Sequence, residues 1–154
     1  MAVSASKTKY VFDGDASVEL RAVSAGATTA GAATRVETGI SLNALDTAYW
    51  HNNETPWRNL VISVQITALV TGGGETYEFQ LIADDDSGMA GGVVVAAQTV
   101  PSTYTGNFDF VVDAATLDQF ADNAGTEVFL ATQVVQVGVS AAATYGAQIA
   151  KNIR

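Results

Sequence analysis

The stretch LVISVQITALVTGGGETYEFQLIA, residues 60–83, decides how the chain is read. Leu60, Ile62, Val64, Ile66, Ala68 and Val70 fall on one side, with Ser63, Gln65 and Thr67 between them. An apolar side chain at every second position is the period of a strand with one buried face. The alternation resumes at Tyr77, Phe79, Leu81 and Ala83, against Thr76, Glu78 and Gln80. Thr71, Gly72, Gly73, Gly74 and Glu75 separate the two runs, so the pair is expected to form a β-hairpin closed by a glycine loop. A glycine run that cradles phosphate needs a following helix and usually a lysine. Here a strand follows, without lysine.

Outward from this pair the rhythm continues as strand, turn, strand. VVVAAQTV (93–100) reads as a buried strand, 101–106 as a turn, and NFDFVV (107–112) as an alternating strand. Residues 113–126 interrupt the pattern; Leu117 and Phe120, three apart, suit a short helical turn capped by Asp113, or a long loop. EVFLATQVVQV (127–137) and VSAAATYGAQI (139–149) read as the last two strands. Towards the start, TKYVFDGDASVELRAV (8–23) holds two short strand-like pieces, and SAGATTAGAAT (24–34) is too rich in small residues to fill a core. It is expected to be a surface loop or arm. Residues 1–9 read as a polar N-terminal tail and residues 10–154 as one domain. The fold class expected is all-β: an antiparallel β-sandwich, a jelly roll of about eight strands.

Composition agrees and removes several functions. Of 154 residues, 48% are hydrophobic, and alanine, valine and glycine dominate where a helical protein would carry lysine, arginine and glutamate. The absence of cysteine excludes disulfides, thiolate nucleophiles and cysteine-ligated metals. The net charge is −9, and the seven basic residues are scattered, whereas affinity for nucleic acid rests on clustered cations that neutralise phosphates. MAVSASKTKYVF lacks the apolar centre of a signal peptide, and the run VVVAA (93–97) is far too short to span a bilayer. No nucleic-acid or membrane partner is expected.

The one concentration of acids is in FQLIADDDSGM (79–89). A calcium loop with Asp84 and Asp86 at its first and third positions would need an oxygen ligand at the fifth, which is Gly88. Its turn glycine would be Met89, and its bidentate glutamate would be Val95. Three neighbours at a strand end also cannot face each other across a substrate as a catalytic pair must. The expectation is a solvated strand exit, with Asp84 and Asp86 dispensable for folding, and with no metal, cofactor or catalytic residue.

His51 is the single histidine, and no serine motif supplies it with a nucleophile. It lies in YWHNNETPWRN (49–59), which gathers Tyr49, Trp50, Trp57 and Arg58, the residue types that anchor interfaces. The tryptophans suit core plugs at one end of a sandwich equally well. Asn53-Glu54-Thr55 matches a glycosylation acceptor, but Pro56 follows at once.

Taken together, LVISVQITALVTGGGETYEFQLIADDDSGM, VVVAAQTV, GNFDFVVD, FLATQVVQVG and SAAATYGAQIA resemble, over about residues 59–150, the jelly-roll capsid cement proteins of tailed bacteriophages. These decorate the outside of an assembled head. The resemblance implies a protein that is not an enzyme, made in the host bacterial cytoplasm and placed on the outer surface of the virion. Its implied partners are the major capsid protein and further copies of itself, as a dimer or trimer. Tyr49, Trp50, His51, Trp57 and Arg58 are the candidate capsid contacts, with the 24–34 segment and the tail beside them. The alternative class is a carbohydrate or host-surface binding β-sandwich, using Trp50 or Trp57 as an aromatic platform with Asn52, Asn53 and Glu54.

Overall fold

The computed structural model describes residues 19–32, 34–41, 59–113, 116 and 128–150. Among them the chain forms nine strands and one 3-10 turn at Val23–Ala25. Three short strands, β1 (Glu19–Arg21), β2 (Thr34–Val36) and β3 (Ile40–Ser41), precede six long ones. These are β4 (Asn59–Leu69), β5 (Thr76–Asp84), β6 (Val93–Val100), β7 (Gly106–Asp113), β8 (Phe129–Val137) and β9 (Ala143–Ala150). They assemble into two antiparallel sheets, ordered β1-β9-β4-β7 and β2-β8-β5-β6, with β3 also paired to β8.

The apolar faces of the two sheets meet in one core. Leu60, Ile62, Val64 and Ile66 of β4, with Phe108, Phe110 and Val112 of β7, face Tyr77, Phe79 and Leu81 of β5 and Leu130 and Val134 of β8. Phe79 sits edge-on to Phe108 at 5.9 Å and to Tyr145 at 5.0 Å, so the rings join the sheets at the centre. Edge-to-face aromatic pairs add to the energy of area burial.

The expected β4–β5 hairpin is not formed. Residues 70–75 carry the chain from one sheet to the other, and β4 pairs instead with β7 and β9. The reason is visible in the side chains: two strands with one strongly apolar face each bury both faces by opposing them across a core. Side by side they would leave a wide apolar face still to be covered. The arch is tied by Tyr77, whose hydroxyl donates to the Val70 carbonyl at 2.8 Å and accepts from the Ala142 amide at 3.2 Å. The alternation in β4 also stops early. A bulge at Thr67 shifts the register between Ile66 and Ala68, so Ala68 and Val70 are exposed while Leu69 packs against the core.

VVVAAQTV is buried only in part, through Val100 and, less fully, Val95 and Ala96. β6 is the edge of its sheet, and Val93 and Val94 are 49% and 44% exposed. Apolar content alone does not separate a central strand from an edge strand. NFDFVV follows its alternation, with Phe108, Phe110 and Val112 inside and Val111 outside.

The small-residue segment 24–34 is laced to the sandwich, not held out as an arm. Thr28 bonds Ala143 in both directions, amide to carbonyl at 2.9 Å and hydroxyl from amide at 2.9 Å, and the Gly31 amide reaches the Ala141 carbonyl. Its partner is Gln136, which is buried. The Gln136 amide oxygen accepts from the Thr28 hydroxyl, and its nitrogen donates to the carbonyls of Thr29 and Ala141, each at 2.8 Å. Small side chains are what allow this close backbone approach: at Gly31, with φ +74°, a Cβ would stand 2.9 Å from the Val139 carbonyl oxygen. The tail at 1–9 and the possible helical turn with Leu117 and Phe120 lie outside the described residues.

Candidate functional site

At one end of the sandwich the β5–β6 turn carries Asp84, Asp85 and Asp86. Asp84 is buried at the strand end, and its two carboxylate oxygens accept from the backbone amides of Asp85 at 2.7 Å and Gly91 at 2.9 Å. Asp86 accepts from Gly88 at 3.1 Å, in the side-chain turn that aspartate favours. The solvated exit expected from sequence holds for Asp85 and Asp86, but Asp84 is a staple across the turn, contrary to the expectation that it is dispensable. An amide retains one acceptor and presents N–H groups to an N–H donor. Asp84→Asn is therefore expected to cost about 1–3 kcal/mol in chemical denaturation, within the range for bonds to charged groups.

The same turn holds Met89 at φ 57°, a left-handed conformation unusual for a residue with a Cβ. Its side chain is seated with Ile82 and Ala131 in a small second apolar cluster, which offsets the local cost. The hydrogen bond with Asp84, followed by slight desolvation and the charges of Asp84 and Asp86, raises the pKa of Asp85 above the ordinary aspartate value. A carboxyl whose folded pKa is raised binds protons more readily folded than unfolded, so its contribution to stability falls as pH rises through that window. Asp85→Asn is expected to raise the melting temperature at neutral pH. The gain should shrink as pH is lowered below the carboxylate range; a gain that grows on acidification would contradict this origin.

On the open side of the sandwich, Arg21 of β1 reaches across to the opposite sheet. A register shift between Glu19 and Arg21 turns both Leu20 and Arg21 inward. The guanidinium donates to Glu37 Oε1 at 2.9 Å, to the Tyr145 carbonyl at 2.6 Å and to the Gly26 carbonyl at 3.0 Å, and lies 4.5 Å from the Tyr145 ring centre. The arginine side chain is 4% exposed and the glutamate 19%. Below it, the hydroxyls of Thr132 and Tyr145 meet at 3.3 Å between the sheets. This group fastens one sheet to the other. Nε and both terminal nitrogens each make one of these bonds, and the nearly buried side chain presents little charge to a ligand.

The outer faces of the two sheets differ. On the β2-β8-β5-β6 sheet the amides satisfy one another: Gln133 donates to Gln80, and Gln80 donates to Glu78. On the β1-β9-β4-β7 sheet lies a depression of about 330 Å³, lined by Glu19, Ser63, Gln65, Asn107, Gly146 and Gln148 along with parts of Arg21 and Ala147. No family matches the chain, and no curated protein matches it.

Tyr49, Trp50, His51, Trp57 and Arg58 lie outside the described residues, as do Asn52, Asn53 and Glu54. Among the described residues no group of three or more His, Cys, Asp or Glu could hold a metal ion, and no helix is long and apolar enough to cross a membrane. The two features that sequence reasoning missed are the Arg21–Glu37 fastening and the polar depression. A basic residue inside the apolar strand ELRAV was the available signal for the first; the second needed the register of four strands.

Proposed function

We propose that this chain is a capsid decoration protein of jelly-roll fold. It binds the outer surface of a tailed-phage head, contacting the major capsid protein and braced by its own copies. The observation that carries the reading is the nesting of strand pairs: β1 with β9, β2 and β3 with β8, β4 with β7, and β5 with β6. With β2 and β3 counted as one interrupted strand, a long hairpin folded over on itself in this order supports a jelly roll, an architecture recurrent in viral shells and in lectins.

Fold leaves function open, and two further features favour a shell-bound role. Apolar side chains stand in water at the β6 edge, Val93 and Val94, and at the β8–β9 end, Val137 and the 95% exposed Val139. They lie on a chain of net charge −9, whose self-repulsion keeps it dispersed until neighbours are held in place. Contacts repeated over a symmetric shell add by avidity, so each can be modest.

The test is to mix purified protein with heads that lack it, and to image them. Density on the outer surface at lattice positions is expected, with greater resistance of the heads to heat. Variants Trp57→Ala and Val139→Asp that remain folded should lower occupancy. Undecorated heads at micromolar protein would sink the proposal.

A further inference from the structure

We propose that the depression on the outer face of the β1-β9-β4-β7 sheet is a binding site for a neutral oligosaccharide. The register places its side chains in two adjoining rows. Glu19 stands opposite Gln148 and Gln148 opposite Ser63; Gly146 stands opposite Gln65 and Gln65 opposite Asn107. Opposed residues in antiparallel strands are about 4.5–5.5 Å apart, and successive outward positions on one strand about 7 Å. The rows therefore form a mesh of three carboxamides, a hydroxyl and a carboxylate around Gly146, whose missing side chain leaves backbone as the floor.

Among the described residues no protein group bonds the side chains of Glu19, Gln65, Asn107 or Gln148. The Ser63 hydroxyl, in a residue only 5% exposed, likewise has no hydrogen-bond partner among the described residues. A buried hydroxyl left unpaired is costly. The other sheet, whose outer amides bond one another, shows what this chain does when such residues serve structure alone.

The chemistry selects the ligand class. Carboxamides and a carboxylate offer paired donors and acceptors that suit adjacent hydroxyls. Among the described residues the exposed charge at the site is the Glu19 carboxylate, while the bordering Arg21 guanidinium is only 4% exposed and held by Glu37, Tyr145 and Gly26, so phosphates, sulfates and acidic sugars are disfavoured there. No aromatic or large aliphatic side chain lines it, which disfavours lipids and flat heterocycles. An open mesh without a stacking platform binds weakly, with Kd expected near 1 mM, and gains strength from repetition. The site stands on this sheet alone and does not depend on the capsid reading.

The experiment is amide-resolved NMR of the isolated full chain, titrated separately with maltohexaose, cellohexaose, isomaltohexaose, chitohexaose and, as the acidic control, hexagalacturonate. A site without walls discriminates poorly among neutral sugars, so this panel suffices. At least one neutral sugar should move the amides of Glu19, Ser63, Gln65, Gly146 and Gln148. The double variant Gln65→Ala, Gln148→Ala should weaken that binding at least ~10-fold, the loss of two hydrogen-bonded contacts, with an unchanged melting temperature. Gln98→Ala, on the other sheet, should not. The proposal is overturned if no neutral sugar moves these amides at about 20 mM, well above the expected Kd. It is equally overturned if the shifts fall elsewhere, or if the acidic sugar binds as tightly. Failure here with normal head decoration would remove the saccharide site alone.

Discussion

Phe79→Ala is expected to lower the unfolding free energy by about 3–5 kcal/mol, the range for truncating a buried aromatic that leaves a cavity. Phe79 is 1% exposed, and its ring touches Phe108 and Tyr145 on the facing sheet. The sheets cannot close the gap, because their separation is also set by Ile62, Val64 and Leu81, which stay in place. Against a domain stability of about 5–15 kcal/mol this loss is large. It corresponds to a melting temperature lower by about 10 °C for a chain of this size. A loss under about 1 kcal/mol would mean that the site collapses, and that Phe79 does not hold the sheets apart. Gln65→Ala, on an exposed position of β4, should leave the melting temperature nearly unchanged.

Arg21→Ala should be comparably severe, at about 3–5 kcal/mol, because it strands the Glu37 carboxylate and two backbone carbonyls at a buried seam. Arg21→Met separates packing from charge, since it keeps the aliphatic stem beside Tyr145. The pair Arg21→Met with Glu37→Leu is expected to recover much of the single-variant loss, as apolar replacement of both partners of a buried ion pair often does. Urea denaturation of the four proteins gives the coupling energy directly. A coupling near zero would show that Glu37 and Arg21 contribute separately, and that the seam is closed by other contacts.

The strands of this fold were legible where side-chain period is the whole signal. Leu60 to Ile66, Tyr77 to Leu81 and Phe108 to Val112 face inward as alternation requires. What alternation does not carry is which strand lies beside which. The glycine loop after β4 reads the same whether it turns back within a sheet or crosses to the other, and VVVAAQTV reads the same at the centre and at the edge. Bulges at Thr67 and between Glu19 and Arg21 change facing without any local marker strong enough to place them. For the acidic turn, the refusal of metal spacing was readable from residue identities, whereas the burial of Asp84 depended on Gly91, seven residues on. The polar depression was hidden for the same reason as the topology. Its residues come from positions 19, 63, 65, 107, 146 and 148, and only strand order brings them together.

The position of β9 bears on how the protein is made. β9 lies between β1 and β4, so the four-stranded sheet lacks an interior member until residues 143–150 have been synthesised. At about 5–20 residues per second, a ribosome exposes β1, β4 and β7 for seconds before the strand that joins β1 to β4 emerges. Pairing of Glu19 with Gln148 closes a loop of nearly the whole chain, and folds dominated by such distant pairings acquire native structure late and slowly, over about milliseconds to seconds. During synthesis the apolar face of β4 can be shielded by its neighbour β7 and by β5 across the core, but β1 has no partner strand until the end. Removing the last strand should therefore abolish the four-stranded sheet as a unit instead of trimming its edge.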